Sequence, residues 1–258
     1  MRLAVLGLNA VLLAAVAAGW GGGGDLTVFA AASLRGPLEE IALAFEEKHP
    51  DVDLSFNFAG SQRLRFQLEQ GAEASVFVSA DERQMQLAQD AELLVGEPVV
   101  FARNRLVVAV AGGNPGDIQT LEGLAASGLR LVWADQGVPL GAYTRQALAA
   151  MSETFGADFA QRVEANVVSQ EENAEAVAGK VELGEADAAI VYETDSPRLR
   201  REGATVIPIP DAYQPDIRYL VALLSGTGNL ERARAFIDFL LSERGQRIFV
   251  KYGFLGVQ

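Results

Sequence analysis

From Asp25 onward, short apolar runs alternate with segments whose apolar residues recur three or four positions apart. Leu26–Phe29 reads as a short strand, and Val52–Phe58 (VDLSFNF) alternates apolar and polar residues as one face of a strand requires. Val76–Val78, Leu106–Val110, Leu131–Trp133, Ala188–Tyr192, Val206–Ile209 and Tyr219–Leu224 are further strand candidates. Between them, Pro37–Lys48 puts Leu38, Ile41, Ala42 and Phe45 on one helical face, with Pro37 suited to the first helical position. Ser61–Gln70 reads as a helix stopped by Gly71, and helices are expected over 82–91, 120–126, 141–152, 172–183 and 229–241. This rhythm predicts an α/β protein with mainly parallel sheets.

No internal repeat is visible. The loops Gly112–Gly116 and Pro210–Pro215 mark places where the chain passes between lobes. Residues 25–110 and 217–258 then form lobe I and residues 111–216 an inserted lobe II, with a ligand cleft between them.

The first residues change the picture. MRLAVLGLNAVLLAAVAAGW places Arg2 ahead of an apolar run, Leu3–Ala18, that closes with Ala15-Val16-Ala17. This is the shape of a cleaved secretory signal peptide, with an uncleaved anchor as the alternative reading. Gly21–Gly24 follows as a flexible linker, so residues 1–24 are read as leader and linker. Cysteine is absent, which excludes disulfides, thiolate metal sites, a cysteine nucleophile and a lipid-bearing cysteine. The net charge of −13 argues against nucleic acid or anionic lipid as partner.

The chemistry-bearing residues gather at helix starts. Ser33 precedes the Pro37 helix, Ser61 opens the next, Pro139-Leu140-Gly141 opens a third, and Glu172-Asn173-Ala174 a fourth. Unpaired N–H groups at several helix starts, converging on one cleft, bind an anion without lysine or arginine. The plainer alternative is that each serine merely caps its helix. Ser33 fits that poorly, because it lies too far ahead of Pro37 to be an ordinary cap. Tyr192 ends the AAIVY strand, where α/β sheets present ligand-contacting side chains; a packed core tyrosine is the alternative. Arg35 and Arg63 follow the two serines closely and are either anion contacts or solvated charges. Glu171 and Glu172 should point away from any bound anion.

Enzyme readings find little support. A Ser-His-Asp triad would need His49, the sole histidine, and neither a nucleophile elbow nor a phosphate-binding glycine motif is present.

Several stretches together carry a resemblance: VFAAASL at 28–34, FAGSQRLRFQLEQGAEASVFVSAD at 58–81, VPLGAYTRQAL at 138–148, EENAEAVAGKVELGEADAAIVYETDS at 171–196 and IFVKYGF at 248–254. In that order they resemble the periplasmic molybdate-binding proteins of ABC importers. The resemblance implies a two-lobed type II periplasmic binding fold with the ligand cleft between lobes. It also implies that molybdate or tungstate is held through its oxygens, with no direct protein–metal bond. The implied contacts are the hydroxyls of Ser33, Ser61 and Tyr192 and the backbone amides of Leu140 and Ala174. No catalytic residue and no cofactor are implied. The implied partner is a membrane permease, and the implied state is a monomer in the periplasm. Leu140 stands where the family usually has alanine, Ala174 where it has valine, Ala74-Ser75 where it has Ala-Asp, and Gln62 where it often has serine. Two other readings share some of these features: a binding protein for sulfate or phosphate, and a serine hydrolase using Ser33 or Ser61. An effector-sensing domain of a regulator shares the fold, but the leader and the lack of a DNA-binding segment argue against it.

Overall fold

A computed structural model describes residues 24–257. The leader and linker assigned to residues 1–24 lie outside them, apart from Gly24, which opens the first strand. Among the described residues no helix is long and apolar enough to cross a membrane.

The chain begins with β1 (Gly24–Ala31), α1 (Arg35–Glu46), β2 (Val52–Ala59), α2 (Ser61–Glu69), β3 (Val76–Ser79) and α3 (Glu82–Asp90). β4 (Leu94–Asn104), β5 (Leu106–Val110), β6 (Leu131–Ala134), α4 (Pro139–Phe155), α5 (Phe159–Glu164) and β7 (Val167–Glu171) follow. Then come α6 (Ala174–Glu182), β8 (Ala188–Tyr192), α7 (Ser196–Arg201) and β9 (Thr205–Pro208). β10 (Ile217–Leu224), α8 (Leu230–Leu241), α9 (Glu243–Lys251) and β11 (Leu255–Gly256) complete the order.

Two sheets result. The first has the order β11-β4-β10-β3-β1-β2 and the second β7-β6-β8-β5-β9. Both are mixed, which corrects the expectation of mainly parallel sheets: β1 pairs in parallel with β2 and β3, but β10 runs antiparallel to β3 and β4. Likewise β6 is parallel to β7 and β8, whereas β5 is antiparallel to β8 and β9. The physical reason is that β5 and β10 enter their sheets directly from the other sheet instead of after a crossover helix, so each runs against its neighbours, whereas β4 follows α3 and keeps the direction of β3.

β5 also moves the lobe boundary. Expected in lobe I, Leu106–Val110 is instead an inner strand of the second sheet, so the outward passage falls at Arg105 and not at Gly112–Gly116. The return runs between Pro208 and Ile217. One glutamine ties the two passages together: the Gln214 side chain accepts from the Leu106 N–H (2.8 Å) and donates to the Leu106 and Ile209 carbonyls.

The first sheet buries both faces. Val28, Ala30, Val76, Val78, Val221 and Leu223 face the main core with Leu38, Ile41, Phe45 and Phe236. Phe29, Phe77, Leu220 and Ala222 alternate to the other face, under Leu64 and Leu68 of α2 and Met85 of α3. A strand covered on both sides reads as an unbroken apolar run, which is why β1 and β3 are visible in sequence. Each fully buried Val, Leu, Ile, Phe or Met side chain here contributes about 1.5–3 kcal/mol. β4, α5, β7, α7, α9 and β11 were not anticipated, and 120–126 holds only a short 3-10 turn at Glu122–Ala125.

Candidate functional site

Each residue at issue sits at or past the carboxyl end of a strand, where open α/β sheets place their ligands. After β1, Ser33 occupies a 3-10 turn, Ala32–Leu34, and does not cap α1, whose cap position is Leu34 with no side-chain bond. After β2, Gly60 is the cap and Ser61 the first residue of α2. α4 begins two residues earlier than expected, so Leu140 lies in its first turn directly after Pro139. α6 begins two residues later than expected, at Ala174, and its cap Asn173 accepts the Ala176 N–H at 2.9 Å. Tyr192 ends β8.

Ser33, Ser61, Leu140, Ala174 and Tyr192 all line one hollow between the two sheets. Its cavity volume is about 10 Å³, far below the roughly 300–1,000 Å³ of pockets for organic ligands. No charged side chain lines it.

The hydrogen-bond accounting leaves donors. Ser61 is 1% exposed, and its Oγ accepts the Ala80 N–H at 3.0 Å, so its own hydrogen is free for the hollow. Ser33 Oγ lies 3.1 Å from the Tyr219 hydroxyl. The amides of Leu140 and Ala174 fall in first helical turns, where N–H groups lack intrahelical acceptors. Pro139 has no N–H, which makes the Leu140 amide the first donor of α4. Gly141 lets that helix start press on β6: a Cβ there would meet the Asp135 carbonyl oxygen at 2.1 Å. The Tyr192 hydroxyl is buried with no partner. Burial, followed by the neighbouring Tyr219, pushes its pKa well above the ordinary phenol value, so it stays protonated.

Cations stand outside this ring of donors. Arg35 pairs with Glu175 at 3.5 Å and stacks on Phe58 with its guanidinium 4.6 Å from the ring centre. Arg63 pairs with Glu172 at 2.8 Å. Both pairs join α1 or α2 to the start of α6, so these arginines clamp the lobes together. Gln62 Nε2 adds a bond to the Glu172 carbonyl (2.9 Å), and Gln84 Nε2 one to the Gly137 carbonyl (3.2 Å). Glu171 takes the Ser169 hydroxyl at 2.6 Å, and neither Glu171 nor Glu172 lines the hollow. His49 stacks on Phe45 at 4.4 Å and takes no part in the site. Sequence reasoning missed Gln62, Asn104 and Tyr219, whose roles arise from contacts distant in the chain.

Behind Ser33 a larger cavity, about 550 Å³, is lined by Asp195 among others. Asp195 Oδ2 is buried without a partner, and burial raises its carboxyl to about 7 despite the opposing pull of Arg198. An unfolded aspartate titrates near about 3.9, so between these values the native chain holds one proton more than the unfolded chain. Stability from this group is therefore present at low pH and lost as pH rises through about 7. Thermal melts should show wild type losing stability from about pH 4 to about pH 7 while Asp195→Asn loses markedly less; parallel curves would contradict this assignment.

Comparisons with known proteins bear on the family and the fold. Residues 26–255 match the family model for bacterial extracellular solute-binding proteins. "Molybdate-binding protein ModA" of Mycobacterium tuberculosis is 36% identical over 233 residues, covering 90% of this chain and 85% of that protein. The substrate-binding domain of a putative molybdenum ABC transporter from Clostridium difficile is 26% identical with TM-score 0.67, covering 91% of this chain and 99% of that one. The sulfate-binding protein SubI of Mycobacterium tuberculosis shares the fold, with TM-score 0.82 at 17% identity over 91% of this chain and 88% of that one. Proteins of this kind carry solutes to transporters and are not enzymes. With nearly its whole described length matched, the chain belongs to the bacterial extracellular solute-binding protein family.

Proposed function

We propose that the hollow holds one molybdate ion, through the hydroxyls of Ser33, Ser61 and Tyr192 and the amides of Leu140 and Ala174, for delivery to the permease of an ABC importer. The observation that carries this reading is that all five groups, drawn from both sheets, line one small hollow free of charged side chains. Support also comes from the molybdate-binding name of the 36% identical relative. Tungstate, of the same shape and charge, fits the same donors. The metal is reached only through its oxygens, and among the described residues no cluster of His, Asp or Glu could hold a metal ion.

The selectivity follows from donor chemistry. A fully ionised tetrahedral dianion offers only acceptors, which suits a ring of donors. Protonated phosphate carries an O–H with no acceptor there, and leaving it unpaired costs about 1–3 kcal/mol. The net charge of −13 repels an approaching anion, so affinity comes from fixed local dipoles rather than long-range steering. The chain acts as a monomer outside the cytoplasm, in the periplasm after its leader is removed. The lobes close on the ion, and the closed form is what the permease recognises.

Thermal shift with molybdate and sulfate side by side tests the reading. A ligand at about 100 times its Kd adds about 2.7 kcal/mol, roughly 5–11 °C for a chain of this length. Molybdate should produce that shift and sulfate a smaller one. A sulfate shift equal to or larger than that of molybdate would replace molybdate with sulfate as the cargo.

A further inference from the structure

Behind Ser33 lies a short polar chain that nothing in the oxyanion reading uses. Asn104, at the end of β4, is 5% exposed, and its Oδ1 accepts the Arg105 N–H at 2.8 Å. That bond settles which way the amide faces, because an Nδ2 in the same place would set donor against donor. Nδ2 therefore points to the Thr194 hydroxyl (3.1 Å) and the Tyr219 hydroxyl oxygen (3.3 Å). Tyr219, fully buried on β10, receives this N–H and must place its own hydrogen elsewhere. Ser33 Oγ, 3.1 Å away, is the acceptor in reach. Burial keeps the Tyr219 phenol protonated by raising its pKa. Ser33, its lone pair engaged from behind, is left with one use for its hydrogen, which is to donate into the hollow. Ser61 is set the same way by the Ala80 N–H.

We propose that Asn104 and Tyr219 are positioning residues that fix Ser33 as a hydrogen-bond donor and thereby set the preference for fully ionised over protonated oxyanions. The proposal rests on the oxyanion reading above and adds to it a source of specificity outside the five contacts. If a protonated ion donated to the remaining lone pair of Ser33, the serine hydrogen would have to leave the ion, and Tyr219, which already donates to Ser33 and accepts from Asn104, offers it no place. Wild type therefore presents an acceptor at this point only by giving up the hydrogen bond that Ser33 donates to the ion.

The direction of the chain is reversible by one substitution of nearly equal size. In Asn104→Asp the carboxylate accepts from the Arg105 N–H and from the Tyr219 O–H. Tyr219 then accepts from Ser33, and the Ser33 lone pairs face the hollow. Titration calorimetry of wild type, Asn104→Asp and Tyr219→Phe with molybdate, sulfate and inorganic phosphate reads this out. At about pH 8 all three ions are predominantly dianions, so the added carboxylate repels them alike, and only phosphate carries a proton. The expected result is a molybdate-to-phosphate affinity ratio that shrinks at least about tenfold in Asn104→Asp, with a parallel drop in the sulfate-to-phosphate ratio. Tyr219→Phe keeps the ring and its packing but leaves Ser33 unoriented. It should weaken molybdate and sulfate by about 5- to 10-fold with no gain for phosphate. An Asn104→Asp protein that binds all three ions more weakly in equal proportion, or a Tyr219→Phe protein with unchanged molybdate affinity, overturns the proposal. Absence of molybdate binding in wild type would instead remove the oxyanion reading itself, and this inference with it.

Discussion

Replacing Tyr192 by phenylalanine is expected to weaken molybdate binding by roughly 10- to 100-fold and, in the same protein, to raise the melting temperature without ligand. The two effects have one cause. The Tyr192 hydroxyl is buried and has no partner among the described residues. In the ligand-free chain it contributes only the cost of an unsatisfied polar group, about 1–3 kcal/mol. Its removal relieves that cost, and for a chain of this length the gain amounts to a few degrees. With the anion bound, the same hydroxyl donates to a charged acceptor, an interaction of about 1.5–3 kcal/mol, where each 1.4 kcal/mol is a factor of ten in Kd. An ordinary core tyrosine would lose stability on truncation and leave affinity unchanged. Calorimetric titration and a ligand-free melt on the same preparation check both signs. Affinity within about twofold of wild type would remove Tyr192 from the site.

The contrast between Tyr192 and Tyr219 shows what a sequence can and cannot display. Tyr192 ends the unbroken apolar run AAIVY, so its strand and its position at the strand end are both local facts. Tyr219 also sits on an apolar strand, but its role depends on Ser33, 186 positions away, and on Asn104, 115 positions away. No local pattern encodes such a meeting. The helix starts were legible for the opposite reason: a free N–H at the beginning of a helix is a property of the helix alone. Strands followed the same division. β1, β3, β5 and β8 are covered on both faces and announce themselves, whereas β7 is an edge strand with alternate positions exposed. β4 is interrupted by Gly96 and Pro98, the residues most damaging to a strand pattern. Strand direction was illegible too, because β5 and β10 owe theirs to the passage of the chain between sheets. α9 escaped notice since it follows α8 after a single residue, Ser242, which both ends one helix and caps the next.

Gly60→Ala tests the closure of the lobes without touching a proposed contact atom. Gly60 has φ −62° and ψ 138°, a conformation alanine adopts freely, so the first lobe should fold as before. Fewer unfolded conformations would even stabilise the ligand-free chain by about 0.4–1 kcal/mol. The obstacle lies across the cleft. A Cβ at this position would stand 2.5 Å from the carbonyl oxygen of Glu172, and a similar distance from the Gln62 amide. The Gln62 side chain can swing aside. The Glu172 carbonyl cannot, because it belongs to the backbone just before α6, where the Ala174 amide is presented. Moving it away opens the hollow between Ser61 and Ala174 and breaks the 2.9 Å bond from Gln62. Overpacking of this kind costs about 1–3 kcal/mol, and here the cost falls on the closed state alone. Apparent affinity for molybdate should therefore drop roughly 10- to 100-fold while the ligand-free melting temperature holds or rises slightly. Gly228→Ala, where an added Cβ meets nothing within 4 Å, serves as the matched control and should bind as wild type does. Small-angle scattering with and without molybdate supplies the second readout, since a chain held open contracts less on adding ligand. A Gly60→Ala protein that contracts and binds like the control would show that the lobes need not meet at Gly60 and Glu172 for the ion to be held.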